Sequence, residues 1–276
     1  MNRPTKYDVE LENIEIQLLI EGVRRHSGID LEEYAGSAVR RRIWSALKAE
    51  KARTISGLLE KLLHDPEVFQ RFLEGLTRSE PSDPKLFELF RNEVAPLLRT
   101  YPFVRVWQAG SDSLRDLYFI AIILHEEGLY EKSTIYVTDV SETNLQRARD
   151  GVIALGGTRE LERMYRDSGG RGKLSEYFSG GRATGIFKPQ LRRHMVFSQH
   201  NLATDGSFNE FNAILCRQLL DPLSDGSRAR AHEVLYQSLG MFGILALGPR
   251  ESVRNTPHER AYQELDGEQR LYRKIA

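Results

Sequence analysis

Cysteine is almost missing from this chain. The single Cys216 excludes an internal disulfide and fits a reducing, cytoplasmic setting. No apolar run reaches the ~20 residues of a membrane helix. The most apolar stretch, 117–124, ends in His125-Glu126-Glu127, so no membrane insertion is expected. Met1-Asn2-Arg3-Pro4 lacks the apolar core of a secretion signal. Net charge is absent too, with 39 Lys and Arg against 39 Asp and Glu. No global field therefore draws the chain to nucleic acid or anionic lipid, and any charge effect is local. The sequence has no His-Glu-x-x-His and no paired cysteines, and His194, His200 and His258 are scattered, so no metal site is expected. With 276 residues the chain has room for a proper core in one large domain or two modest ones.

What is present is patterned. Residues 11–26 place Leu11, Ile14, Leu18 and Val23 on one helical face with glutamates opposite, so this face is expected to be buried and the helix to close near Ser27-Gly28. A second helix over 38–52 carries Arg40, Arg41, Arg42, Lys48 and Lys51, with Arg53 just beyond, against one acid, Glu50. Such charge runs are usually solvated surface. Arginine forks also pair with carboxylates and phosphates, which makes Arg40, Arg41 and Arg42 a candidate docking face. Residues 55–64 and 66–76 supply two more helices, the latter with Pro66 in its first turn and Asp65 as cap. Residues 1–80 thus read as a helical unit, with the proline-bearing segment 77–84 as a break. Residues 81–102 read as a linker with a helix over 85–98.

From residue 103 strand and helix signals alternate. Strand 104–108, helix 116–126, strand 134–138 ending on Asp139 and helix 142–150 form a β-α-β-α run, which implies a parallel sheet. Strands at 195–198, 211–216 and 243–247, a helix over 233–239 and an edge strand at 271–272 continue it. The expected class is α/β, a doubly wound sheet domain over 103–276 behind an α-helical N-terminal domain. Residues 155–189, with three glycine pairs and five arginines, read as an insertion of loops or short antiparallel strands. Ala109-Gly110 is the turn leaving the first strand. A nucleotide-like ligand there calls for a second small residue, so that the backbone can approach and a helix N-terminus can face it. That place holds Ser111-Asp112-Ser113-Leu114-Arg115-Asp116. An acid at the second strand end, Asp139, commonly accepts hydrogen bonds from a ribose. A helix cap through Asp139 or Ser141 is an equal alternative.

These pieces together resemble the CheR-type chemoreceptor methyltransferases. The resemblance is carried by Glu33-Tyr34, Arg40-Arg41-Arg42, Asp65-Pro66, Ala109-Gly110, Thr138-Asp139, the Gly/Arg-rich insertion, Gln199-His200-Asn201-Leu202, Cys216-Arg217 and the run from Leu247 to Ser252. It covers nearly the whole chain. It implies a helical N-terminal domain, a Rossmann-like methyltransferase domain with a small inserted β-subdomain at about 155–195, and transfer of a methyl group from S-adenosylmethionine to receptor glutamates. It also assigns Ala109, Gly110, Asp139, Asn201, Leu202 and Arg217 to the cofactor's surroundings.

Three departures cluster on the methyl and substrate side. The family's first loop reads approximately A-G-C-S-T-G-E-E. Here Leu114 replaces the last glycine, and Arg115 replaces an acid expected to face the cofactor's ammonium. Two cations ~4 Å apart repel by about 1 to 4 kcal/mol, depending on exposure. Ser113 and Asp116 form a capping-box pattern that starts the helix on itself. Residues 77–84 lack the aromatics and arginine of the family's N-x-T-x-F-F-R-D-P. In place of C-R-N-V-L-I-Y-F stands a run from Cys216 to Leu223 without the tyrosine and with Pro222. Methyl transfer is chiefly a positioning problem. The expectation is therefore a degenerate homologue with no catalytic residues of its own, with S-adenosylmethionine binding weak or lost, acting as a binding protein for a receptor-like or signalling partner. The alternatives are an active protein-glutamate O-methyltransferase, and a phosphate-binding sensor of a nucleotide such as a cyclic dinucleotide.

Overall fold

The structure, a computed structural model, describes residues 6–76, 83–111, 114–154, 158–180 and 184–276. It divides into two compact units, Met1–Arg78 with Pro222–Arg228, and Ser79–Asp221 with Ala229–Ala276.

The first unit holds α1 (Lys6–Ser27), α2 (Gly36–Ala49), α3 (Ile55–His64) and α4 (Pro66–Glu74). Local chemistry sets their ends. Thr54 caps α3 by accepting from the Gly57 N–H, and Asp65 caps α4 by accepting from Glu67 and Val68, with Pro66 in the first turn where a missing N–H costs nothing. Gly28, at φ +75°, closes α1. Leu19, Val23, Ile43, Leu58, Leu62 and Phe72 build the core. The expected buried face of α1 is corrected here. Val23 is buried, but Leu11, Ile14 and Leu18 are exposed, and Leu19 takes the core position. The choice follows the packing on α3, where a methyl at Gly22 would lie 2.7 Å from Leu59. Residues 222–228 belong to this unit through an antiparallel bridge between Tyr34 and Leu223. The Ala35 N–H donates to Pro222 and the Ser224 N–H to Glu33, both over 2.8 Å.

The second unit is built on a seven-stranded sheet. In chain order its strands are β1 (Val104–Ala109), β2 (Ser133–Asp139), β6 (Met195–Gln199), β7 (Phe211–Cys216), β8 (Leu239–Leu247), β9 (Tyr262–Asp266) and β10 (Leu271–Lys274). The spatial order is β6-β2-β1-β7-β8-β10-β9, parallel from β6 to β8 and antiparallel beyond. Helices α5 (Pro84–Leu89), α6 (Ala95–Arg99), α7 (Leu114–Glu126), α8 (Glu142–Asp150), α9 (Thr158–Asp167) and α10 (Asp225–Ser238) follow the strand pattern. Every residue from Leu117 to Leu124 of α7 is buried, which explains its uninterrupted apolar run. The helix expected over 85–98 is α5 and α6 joined by one wide π-type turn, Phe90–Val94. Leu271 and Tyr272 are not at the sheet edge, because β9, unforeseen in the sequence, lies outside them.

The insertion holds α9 and two strands of a separate antiparallel sheet, in which β5 (Thr184–Phe187) lies between β3 (Val152–Ala154), just ahead of the insertion, and β4 (Phe178–Gly180). It is pinned by buried charge. Arg91 donates to Glu126 over 2.6 Å, to Glu127 over 3.1 Å and to the Ser168 carbonyl over 3.2 Å. Arg99 and Arg171 also bind Glu127, while Tyr165 and Tyr177 donate to Glu126. Gly169, at φ +77°, lies against the Arg91 stem.

Candidate functional site

Strand register brings the sequence candidates together. Ala109 pairs with Thr138 on one side and Cys216 on the other, Asp139 pairs with Gln199, and Cys216 with Leu247. The carboxyl ends of β6, β2, β1, β7 and β8 are therefore level, and the loops leaving them share one edge. The chain runs outward from β1 through β2 to β6 and from β7 to β8, so the order reverses between β1 and β7. Ligands of open α/β sheets bind outside such a switch point. Gly110 and Arg217 lie directly there.

Gly110 leaves β1 at φ +82°, and its N–H donates to Thr138 over 2.8 Å. The turn aims Ser111 at Asp139, whose Oδ2 accepts both the Ser111 N–H over 2.9 Å and its hydroxyl over 2.8 Å. Oδ1 accepts the Ser141 N–H over 2.9 Å and the Asn144 amide over 3.3 Å. A carboxylate offers about four lone-pair positions, and here four donors of the chain itself occupy them. Ser141 in turn caps α8 by accepting from the Asn144 N–H. Asp139 closes the second strand of the parallel run and braces the loops that leave β1 and β2. Asn201 Oδ1 accepts from the Ala203 N–H, and the Asn201 backbone N–H donates to Asp205. Its neighbour His200 donates its backbone N–H to the Asp139 carbonyl, and Leu202 is buried.

The loop after β7 is organised by a residue that the sequence reading passed over. Glu251 is buried and accepts four backbone N–H groups, from Gly248, Gln218, Leu220 and Asp221, over 2.6 to 3.1 Å. Burial pushes its pKa above the ordinary carboxylate value, while these donors pull the other way. Gln218 turns at φ +60° to reach it. A methyl at Gly248 would sit 2.7 Å from both the carboxylate and the Gln218 nitrogen, so the Gly-Pro-Arg-Glu run is a clamp. The signal was available as a glutamate three residues past a strand-end glycine. The clamp places Leu219 over Gly110, where an added methyl would meet both Leu219 δ carbons at 3.1 Å. Arg217 is buried and donates to the Leu247 carbonyl over 2.7 Å. Burial lowers its pKa, and Asp116, Glu251 and Asp83 oppose that shift.

Leu114 begins α7 and packs against the main hydrophobic cluster, and the Arg115 Nε is buried without a hydrogen-bond partner among the described residues. Ser113 of the expected capping box lies outside the described residues, as does most of the 77–84 break.

The comparisons agree with this architecture. The CheR methyltransferase SAM-binding domain matches residues 82–268, and the CheR methyltransferase all-alpha domain matches residues 14–77. The chain belongs to the CheR methyltransferase family. A protein named putative methyltransferase Cher3 from Pseudomonas putida is 38% identical over 265 residues, covering 95% of this chain and 97% of that protein. A chemotaxis protein methyltransferase from Listeria innocua is 25% identical, covering 84% of this chain and 88% of that one. One from Vibrio cholerae, chemotaxis protein methyltransferase 2, is 27% identical over 68% of this chain and 67% of its own length.

The match lays the family's S-adenosylmethionine-binding domain over this strand-end edge. There the Asp139 carboxylate accepts four hydrogen bonds from the chain itself, and Leu219 lies over the switch-point glycine. Among the described residues no group of three His, Cys, Asp or Glu is placed to hold a metal ion, and no helix is long and apolar enough to cross a membrane.

The three arginines of α2 do not act as one face. Arg40 binds Glu12 over 2.6 Å and Asn13 over 2.8 Å. Arg42 donates to the Phe72 and Arg71 carbonyls at the end of α4 and lies over the Phe72 ring, so it is a helix-end brace. Arg41 is exposed.

Proposed function

We propose that this CheR-family chain has kept the methyltransferase architecture, has lost methyl transfer, and acts as a signalling or binding protein in a bacterial chemosensory-type pathway. The observation that carries the reading is the saturation of Asp139 by Ser111, Ser141 and Asn144. A ribose would have to displace the chain's own donors from a buried carboxylate, forfeiting hydrogen bonds to a charged group. Leu114 and Arg115 oppose the methionine end in the same direction. The partner is a receptor-like or signalling protein, and Arg41 is the arginine of α2 available to it.

Isothermal titration with S-adenosylmethionine and S-adenosylhomocysteine, together with a methylation assay on a receptor helix, tests the proposal. Micromolar binding with methyl transfer would establish an active protein-glutamate O-methyltransferase instead. The double change Leu114→Gly with Arg115→Glu is expected to tighten S-adenosylhomocysteine by at least about fivefold, since it removes a cation–cation repulsion of order 1 kcal/mol or more. The unpartnered Arg115 Nε favours a second reading, an anionic ligand at the start of α7. Under that reading a cyclic dinucleotide binds the native chain and is lost in the same double variant.

A further inference from the structure

We propose that the apolar stripe of α1 docks an amphipathic helix whose apolar seam is bordered by lysine or arginine. Leu11, Ile14 and Leu18 are 45, 54 and 54% exposed. At about 100° per residue they fall within roughly 60° of the helix circumference. The core-facing Leu19 and Val23 lie on a different face. Single exposed apolar side chains are ordinary on a protein surface. Three aligned on one face at three- and four-residue spacing match the anchors by which one helix meets another.

The borders decide the occupant. Residues 6–20 contain Asp8, Glu10, Glu12 and Glu15 against Lys6 alone. Glu12 is compensated by Arg40, away from the stripe. Glu10 is exposed on one border. On the other border Glu15 accepts from the neutral Ser56 N–H and hydroxyl, over 3.1 and 2.6 Å, and has no cationic partner among the described residues. A second copy laid on this face sets the same carboxylates against each other, and an anionic membrane meets the same repulsion. A cationic border is the complement. The preferred partner segment thus differs in sign from one that docks on Arg41.

The test uses the full chain and two labelled synthetic helices with leucines at the same spacing, one bordered by lysines and one by glutamates. Fluorescence anisotropy is expected to show the lysine helix binding at least about tenfold more tightly, less so at high salt. Ile14→Asp with Leu18→Asp should abolish that binding while the far-UV circular dichroism and melting midpoint stay unchanged, since both positions are exposed. Glu10→Lys should weaken the lysine helix alone, by about threefold. Equal affinity for the two helices, no binding of either, or indifference to the Asp pair overturns the proposal. So does self-association of the chain that the Asp pair abolishes.

Discussion

A carboxylate that accepts four hydrogen bonds inside a protein is an anchor before it is a binding group. Removing Asp139 strands the Ser111 N–H and hydroxyl, the Ser141 N–H and the Asn144 amide in a buried place. Asp139→Ala is therefore expected to destabilise the chain by about 2–3 kcal/mol, with Asp139→Asn milder because it keeps acceptor capacity on one oxygen. Urea unfolding measures both. Equal stability of the alanine variant and the native chain would mean that the acid is not spent on the loops. Asp139 was visible in the sequence as a strand-end acid, and so was the competition between ribose and cap. That it also holds Ser111 was not visible, because Ser111 reaches it through the parallel pairing of β1 with β2.

At the scale of elements, Arg91, Arg99 and Arg171 converge on Glu127 just past α7, and Arg171 ties the insertion to it. Burial alone would raise the Glu127 pKa, but the Arg91 hydrogen bond, the Arg171 charge and the Arg99 hydrogen bond outweigh it and hold the pKa below its ordinary 4.5. An acid whose folded pKa is lowered contributes stability above its unfolded pKa and loses it as the pH falls through the folded value. Glu127→Gln is expected to lower the melting midpoint at pH 6–7, with the gap closing as the pH falls below about 4.5. Melts from pH 3 to 7 measure this, and a gap independent of pH would contradict it. The strands and most helices were legible from apolar periodicity and caps. Helix α9, the π turn and strand β9 were not. Glycine pairs beside α9 read as loop, and an edge strand such as β9 has no alternating apolar face to betray it.

Across the whole molecule, the path of the chain departs from what a domain-by-domain reading expects. Residues 222–228 fold with the helical unit through Tyr34 and Glu33, although Glu251, which clamps residues 218–221 just before them, belongs to the sheet unit. Leu223→Ala removes a buried side chain from the helical unit, and a cost of about 2–4 kcal/mol is expected. Trp44 is the helical unit's tryptophan and Trp107 the sheet unit's. In a Trp107→Phe background, urea unfolding followed by Trp44 fluorescence should show the midpoint falling. An unshifted midpoint would mean that Leu223 adds nothing to the stability of the helical unit.

The sequence alone determined the family, most of the strands and helices, and the cluster of departures at Leu114, Arg115 and Pro222, because periodicity, caps and motif order are local properties written residue by residue. Tertiary structure decided which face of α1 is buried, that Leu219 covers Gly110, that Glu251 clamps the loop after β7, and that Asp139 is already satisfied. Each of these joins groups far apart in the chain. Hydrogen bonds and packing contacts depend on distance in space, which no local pattern encodes.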